Sequence, residues 1–306
     1  MIRFSSLDDI QLQEAWLTIG IFDGVHLGHR ALIQRLVDGA HAAGSQAVLL
    51  TFHPHPAVVL GSSLEFKFLS TADEKADLLE SLGVDVLITQ PFDRDFANQT
   101  ADEFMQRLKQ TLGLQHLVIG YDTALGRGRM GDATYLTRLG ETLKFKVEVV
   151  PPVLSGESIL SSNALRTLVQ AGAVDQAASL LGYLYPISGQ VIHGDGRGRH
   201  INLPTANIDY PVDKVIPANG IYATWVWLGG ERLRGATNIG INPTFTPDKK
   251  TASLETHLLD FDRDLYGQQV KLEFVARLRE ERKFQSVQEL LEQINRDIAQ
   301  TRLILK

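Results

Sequence analysis

The feature that most constrains this chain is a change of hydrophobic period near its middle. From Trp16 to about Val150, short apolar runs rich in β-branched residues alternate with longer amphipathic stretches, the pattern of strands and helices taking turns. Strands are predicted at 16–22, 47–52, 85–90, 116–120 and 146–150. Leu32, Ile33, Leu36, Val37 and Ala40 recur at helical spacing between the first two, and 72–82, 101–112 and 133–143 do likewise between later ones. Such a βαβ series predicts a parallel sheet covered by helices. Ligands bind beyond the carboxyl ends of strands in sheets of this kind, which singles out the loops 20–29, 52–56 and 120–132.

After Pro186 the helical period disappears. Strands are predicted at 189–193, 220–228, 233–239, 253–261 and 270–278 with no helix between them, and Gly229-Gly230 is a tight hairpin signal because both central residues must accept positive φ. The expectation is an antiparallel barrel or sandwich. Ser286-Val-Gln-Glu289 is a capping-box pattern ahead of Leu290, Leu291, Ile294 and Ile298 on one helical face, so a C-terminal helix should close the unit. A helical connection is expected over 163–184, with the domain boundary near Gly182. The chain's 306 residues agree with a split, since single cores stop growing at about 250–300 residues.

Composition narrows the chemistry. Thirty Lys plus Arg against 36 Asp plus Glu leave a net charge of -6, which gives no global pull toward nucleic acid or anionic lipid. No cysteine is present, which removes disulfides, thiolate zinc sites, iron–sulfur clusters and Cys nucleophiles. No apolar run approaches a membrane span and residues 1–9 lack the features of a signal peptide, so a soluble cytoplasmic protein is expected. The composition leaves homo-oligomerisation open.

Two segments carry candidate chemistry. Gly20-Ile-Phe22-Asp23-Gly24-Val-His26-Leu-Gly-His29 follows the first strand and opens the first helix. A helix N-terminus offers free N–H groups and a positive dipole end, and two imidazoles three apart share a face there. Read alone, the pair is equally a surface cap, and His26, His29, His53 and His55 together could supply imidazoles to zinc. The second segment, Gly194-Asp-Gly196-Arg197-Gly198-Arg, is a glycine-rich turn able to form an anion nest, without the Lys-Ser/Thr ending of a P-loop. Pro204-Thr205-Ala-Asn207 follows it, with two hard oxygen donors on one side of an extended chain. As it stands, it is also an ordinary turn.

These segments carry a resemblance. With Thr51-Phe-His53-Pro54-His-Pro56, the loop 120–132 and Leu160-Ser161-Ser162-Asn163-Ala-Leu-Arg166 in the same order, Gly20–His29 resembles the His-x-Gly-His signature of nucleotidyltransferases, and in particular the adenylyltransferase half of bacterial bifunctional riboflavin kinase/FMN adenylyltransferases, also called FAD synthetases. The second half resembles their riboflavin kinase half through Pro204–Asn207, 217–222, 235–245, Leu254-Glu255-Thr-His, 260–262, 265–267 and Arg279-Glu-Glu281-Arg-Lys-Phe284. The resemblance implies an α/β nucleotidyltransferase domain of Rossmann-like, parallel-sheet type over 1–182. It implies an antiparallel β-barrel riboflavin kinase domain over 183–306, closed by a C-terminal helix.

It also implies roles. His26 and His29 would stabilise the α-phosphate of ATP while FMN attacks it, with Gly20, Phe22, Asp23, Gly24, Ser161, Ser162 and Arg166 around ATP, and His53, Pro54 and Asp122 toward FMN. In the kinase half Gly194, Gly196, Arg197, Gly198 and Pro204 would hold ATP and Thr205 and Asn207 would bind Mg²⁺. Glu255 would be the base for the riboflavin 5′-hydroxyl, and Arg279, Glu281 and Phe284 would border the flavin. Riboflavin, FMN and ATP are then the small-molecule partners, with no nucleic acid or membrane.

The chain departs from the family pattern where Thr123 and Leu125 replace two aromatic residues, Asn163 replaces Thr, Leu165 replaces Ile, and Asn202-Leu203 replace Gly-Phe. Three other readings stay open at this level: a riboflavin kinase with an impaired adenylyltransferase domain, a flavin- or nucleotide-binding protein without catalysis, and a nucleotidyltransferase acting on a non-flavin substrate.

Overall fold

A computed structural model describes residues 1–61, 66–156, 158–194, 203–241 and 252–306. The chain forms two compact units, one from Met1–Phe66 and Ala72–Ser161, the other from Lys67–Thr71 and Ser162–Lys306.

The first unit is a parallel sheet of six strands: β1 (Ile2–Phe4), β2 (Ala15–Ile19), β3 (Gln46–His53), β4 (Val86–Pro91), β5 (His116–Gly120) and, later in the chain, β8 (Lys146–Val150). The order is β1-β4-β3-β2-β5-β8. Its helices are α1 (Leu27–Ala42), the short α2 (Pro56–Val59), α3 (Ala72–Ser81), the short α4 (Arg94–Ala97), α5 (Ala101–Leu112) and α6 (Ala133–Leu143); the small hairpins β6 (Ala124–Leu125) with β7 (Gly131–Asp132), and β9 (Leu154–Ser155) with β10 (Ser158–Ile159), complete it. Strand alternation sorts the core into two layers. Leu17, Ile19, Val48, Leu50, Leu117 and Ile119 pack on Phe104, Met105 and Leu108 of α5 and Leu136 and Leu139 of α6. Ala47, Leu49, Leu87 and Val118 pack on Leu32, Ile33, Leu36 and Val37 of α1 and Ala76 and Leu79 of α3. Both faces being covered, strands read as continuous apolar runs, and truncating Leu49 or Leu50 to Ala would cost about 2–5 kcal/mol.

Strand order runs outward in one direction from β2 to β3 and β4 and in the other from β2 to β5 and β8, so the topological switch point lies between β2 and β5. Loops 20–26 and 121–132 leave from those two strands, which is where such a sheet leaves a crevice for ligand. Two details differ from the sequence reading. The strand expected over 16–22 ends at Ile19, because Phe22 takes φ 52 and cannot continue a strand. The edge strand β1 was not foreseen, being too short and half exposed to show a period.

The second unit opens with α7 (Ser162–Gln170) and α8 (Val174–Leu181), two helices where one connection was expected, broken at Gly172 with φ 80. Six strands follow: β11 (Tyr185–Ile192), β12 (Ala206–Asp209), β13 (Gly220–Leu228), β14 (Glu231–Ile241), β15 (Ala252–Leu258) and β16 (Gln269–Arg279). They close into a barrel in the order β11-β12-β15-β14-β13-β16. β12 pairs with both β11 and β15, so the chain after Thr205 is extended as expected and Ala206 and Asn207 lie in a barrel strand rather than a turn. The expected hairpin is present, with Leu228 opposite Glu231 and Gly229 and Gly230 at φ 54 and 92. β15 stops at Leu258 rather than 261 because Asp260 takes φ 59.

Tyr185, Tyr222, Phe274 and Leu272 fill the barrel, and three buried hydroxyls cross it as a ladder, Thr224 to Thr237 at 2.7 Å and Thr237 to Thr256 at 2.9 Å. Each hydroxyl is satisfied by its neighbour, which removes the penalty of burying it. The helix α9 (Val287–Ile304) packs on the outside, with Ser286 accepting from the Glu289 N–H at 3.2 Å. The segment Lys67–Thr71 belongs to this unit through backbone bonds from Phe68 to Asp213 and from Val215 to Phe68, and through Lys214, whose ammonium donates to the Leu69 carbonyl at 2.7 Å.

Candidate functional sites

In the first unit the loop between β2 and α1 is strained. Phe22, Gly24 and Val25 have φ of 52, 77 and 33, and positive φ at a β-branched residue is a genuine outlier. Burial of Phe22 and Val25 in the core beneath α1 holds it, the usual way such strain survives at a functional site.

This loop delivers His26 as the cap of α1. Its Nδ1 accepts from the His29 N–H at 3.3 Å, which leaves the proton of the neutral ring on Nε2. The two imidazoles stack with centroids 3.7 Å apart, and the edge of Phe22 meets His29 at 5.3 Å. Burial pushes His26 down to about 4, against the upward pull of Asp23 and Asp122. Burial also holds His29 well below the usual imidazole range, helped by the charges of His26 and Lys75. Both rings are therefore neutral near pH 7. His29 Nδ1 is buried without a hydrogen-bond partner among the described residues, a donor or acceptor awaiting a ligand. Asp23 is buried beneath the loop.

Other residues named from the sequence follow the carboxyl ends of β3 and β5 or stand where the second unit begins. His53 and Pro54 are exposed at the end of β3, while His55 caps α2 and stacks on Phe66 at 4.1 Å. Asp122 is exposed after β5, and its carbonyl accepts from Arg129 at 3.0 Å. Leu125, one of the two departures, packs against the core between the sheet and α5 and α6. Ser161 ends the first unit; Ser162, Asn163 and Arg166 open α7 in the second. Arg166 donates to the Lys67 carbonyl at 3.0 Å and to the Asn163 carboxamide at 2.5 Å. The Asn163 departure thus supplies an acceptor that grips this guanidinium. Among the described residues no three His, Cys, Asp or Glu side chains converge as a metal cluster, so the zinc alternative for the four histidines finds no such group there.

The second site is a row set by strand register. Asn207 on β12 lies opposite Glu255 on β15, and Glu255 lies opposite Asn238 on β14. Directly paired residues project to one face, here the outer face, since Ala206, Thr256 and Thr237 between them are the buried ones. Thr205 shares this face two residues before Asn207. The Pro204 carbonyl lies 2.9 Å from His257 Nδ1. Gly194 is packed against Asn207: a Cβ there would stand 2.1 Å from Asn207 Nδ2, so a larger residue at 194 would have to displace this side chain. Gly196, Arg197 and Gly198 lie outside the described residues, as does Asn202. Asn238 Oδ1 is buried without a hydrogen-bond partner among the described residues, and sequence reading missed it because nothing marks one Asn in a strand.

The three residues named for the flavin fall at the end of β16 and just beyond. Arg279 forms a fork on Asp297 of α9, with bonds of 3.0, 3.1 and 2.7 Å, and also donates to the Glu280 carbonyl. Its guanidinium is thereby committed to α9, and Asp297 is a buried carboxylate that no sequence motif announced. The Glu281 carboxylate lies over Gly240, where a Cβ would come within 2.7 Å of it. Phe284 is half-buried under the guanidinium of Arg282, 4.9 Å from the ring centre.

Comparison with known proteins covers both units. The FAD synthetase family matches residues 8–164 and the riboflavin kinase family residues 181–305. The bifunctional riboflavin kinase/FMN adenylyltransferase of Listeria monocytogenes is 36% identical over 94% of this chain and 91% of its own length. Its counterpart from Escherichia coli is 38% identical over 92% of this chain and 90% of its own. A crystal structure described as a macrolide-efflux protein from Streptococcus pneumoniae superposes with a TM-score of 0.90 at 30% identity over 98% of both chains. Among the described residues of the present chain, no helix is long and apolar enough to cross a membrane.

Proposed function

This chain belongs to the bifunctional riboflavin kinase/FMN adenylyltransferase family, and from that membership we propose which of its residues carry each step. It is an enzyme of flavin-cofactor synthesis: ATP phosphorylates riboflavin to FMN, and a second ATP adenylylates FMN to FAD with release of pyrophosphate. We assign this work to the cytoplasm, where ATP is supplied.

The kinase step belongs to the barrel. Glu255 accepts the proton of the riboflavin 5′-hydroxyl as that oxygen bonds to the γ-phosphorus of ATP and the bond from that phosphorus to the β-phosphate bridge breaks, leaving ADP. Thr205 and Asn207 would hold Mg²⁺. Their oxygens are the hard donors this ion takes, and the unpartnered Asn238 Oδ1 in the same row leaves an acceptor for a cation, its water or the substrate. Bound there, Mg²⁺ would neutralise phosphate charge. Gly194 and Pro204, with Gly196, Arg197 and Gly198, would border ATP. Arg279, committed to Asp297, would shape the flavin side by fixing the end of β16 against α9, and Glu281 and Phe284 would border the ring.

The adenylyl step belongs to residues 1–182. A phosphate oxygen of FMN attacks the α-phosphorus of ATP and pyrophosphate leaves, so no proton need be removed. The requirement is for donors aimed at developing phosphoryl charge, and the His26 Nε2–H and the His29 ring at the start of α1 supply them. Gly20, Phe22, Asp23 and Gly24 form the loop that approaches ATP, with Ser161, Ser162 and Arg166 toward its phosphates and His53, Pro54 and Asp122 toward FMN. The observation that supports this reading is that the residues proposed at the centre of each reaction share one structural frame, His26 and His29 on a switch-point loop and Asn207 and Glu255 on a strand register. The test is a time course with riboflavin, ATP and Mg²⁺, the three flavins being separated by chromatography. FMN should rise first and then decline into FAD. FMN accumulating without FAD would mean that the departures at Thr123, Leu125 and Asn163 have silenced the adenylyl step.

A further inference from the structure

Lys75 in α3 carries no motif, yet its side chain ends at the adenylyl-transfer edge of the sheet. Its ammonium donates to the Ile21 carbonyl at 2.8 Å and reaches the Thr51 hydroxyl at 3.4 Å. Ile21 is the second residue beyond β2 and Thr51 lies two residues before the end of β3. The charge therefore spans the carboxyl ends of the two strands beside the loop that delivers His26 and His29. Its field reaches both sides of that loop, acting on His29 and interacting with Asp23.

Two features argue that this charge faces a ligand. First, among the described residues no carboxylate stands within ion-pair distance of Lys75, although the side chain is half-buried and its pKa is lowered by that burial. Asp23 acts on this ammonium from beyond bonding distance and offsets only part of the cost of burial, and an incoming anion would offset the rest. It has three N–H groups, and its two protein bonds include one long, weak contact. Second, the histidines bring hydrogen-bond donors without charge at neutral pH. Adenylyl transfer gathers negative charge on the α-phosphate and on departing pyrophosphate. A fixed cation beside them would offset that charge.

We propose that Lys75 is a further residue of the adenylyl-transfer centre: its ammonium, anchored by the Ile21 carbonyl and the Thr51 hydroxyl, supplies the fixed positive charge that faces the ATP phosphates as pyrophosphate leaves. The proposal rests on the assignment of that step to His26 and His29. It is specific to one reaction, because Lys75 belongs to the unit without the kinase row.

The test uses the full chain as wild type, K75R and K75M. FAD formation from FMN and ATP is followed as a function of ATP concentration, FMN formation from riboflavin serves as the internal control, and the imidazole resonances of His29 are titrated by NMR. K75M should lower kcat/KM for ATP in adenylylation by about 10²- to 10³-fold, with riboflavin phosphorylation unchanged and K75R recovering part of the loss. The His29 resonances should remain native-like and titrate at higher pH, since a neighbouring like charge has gone. Adenylylation by folded K75M within threefold of wild type would overturn the proposal. So would a loss accompanied by disappearance of the native His29 resonances, which would make Lys75 a support of the fold. Failure of wild-type protein to make FAD would instead overturn the underlying assignment of the adenylyl step.

Discussion

The two proposed catalytic regions are built on opposite principles. The loop proposed for adenylyl transfer stores backbone strain at Phe22 and Val25 and buries two neutral imidazoles at a helix start. The kinase row, Asn207–Glu255–Asn238, stores none among these three residues; hydrogen-bonded register on rigid strands sets it. One site is held by the apolar core under a loop and the other by the ladder of a closed barrel. The first should therefore respond to pH and to small changes in its loops, and the second to whatever loosens the barrel and its helix.

The largest effect that sharpens this contrast is expected at Asp297. Removing a buried carboxylate leaves its partner uncompensated, typically a loss of 3–5 kcal/mol, about 3 here because part of Arg279 reaches solvent. Asp297→Ala should lower the temperature at which riboflavin phosphorylation is lost by several degrees, with adenylylation of supplied FMN less affected. An equal drop in both would show that the barrel's stability is not separate from that of the sheet unit.

A smaller effect is set by pH. His26 and His29 have folded-state pKa values below the ordinary 6.5, so below about 6.5 the unfolded chain binds protons that the native rings refuse. The contribution of His26 is fully present above that pH and is lost as pH falls toward about 4, and His29 adds a loss of the same sign. Denaturation monitored through adenylylation should show declining stability over this window, and His26→Gln should flatten the dependence. A profile unchanged in the variant would place the titration elsewhere.

Legibility followed the same division. Periodicity exposed the sheet, the helices on its two faces and most of the barrel strands, because each has a clean apolar face. It did not expose β12, where a Pro, a Thr and an Asn conceal four residues of strand, nor the edge strand β1. The loop before α1 was legible because glycines and two histidines mark it locally. Lys75, Asn238 and Asp297 were not, since each gains its place only from chain distant in sequence: Lys75 from Ile21 and Thr51, Asn238 from Glu255, and Asp297 from Arg279. The excursion of Lys67–Thr71 into the second unit was equally invisible, as backbone bonds leave no side-chain signature.

The smallest effect concerns the departure at Asn163. Its carboxamide accepts from Arg166 at 2.5 Å, and Thr would give the guanidinium up more readily. Asn163→Thr should raise the rate of FMN adenylylation about two- to fivefold, roughly the worth of one modest hydrogen bond. No gain would mean that this contact does not limit the step.

The separateness of the two sites is tested most directly by assaying both half-reactions in two variants. His29→Ala should lower FAD formation from FMN by about 10²- to 10³-fold with riboflavin phosphorylation intact. Glu255→Gln should lower riboflavin phosphorylation by about 10²- to 10⁴-fold, with flavin binding and FMN adenylylation intact. That crossed pattern is what two independent frames require; loss of both activities in either variant would contradict it.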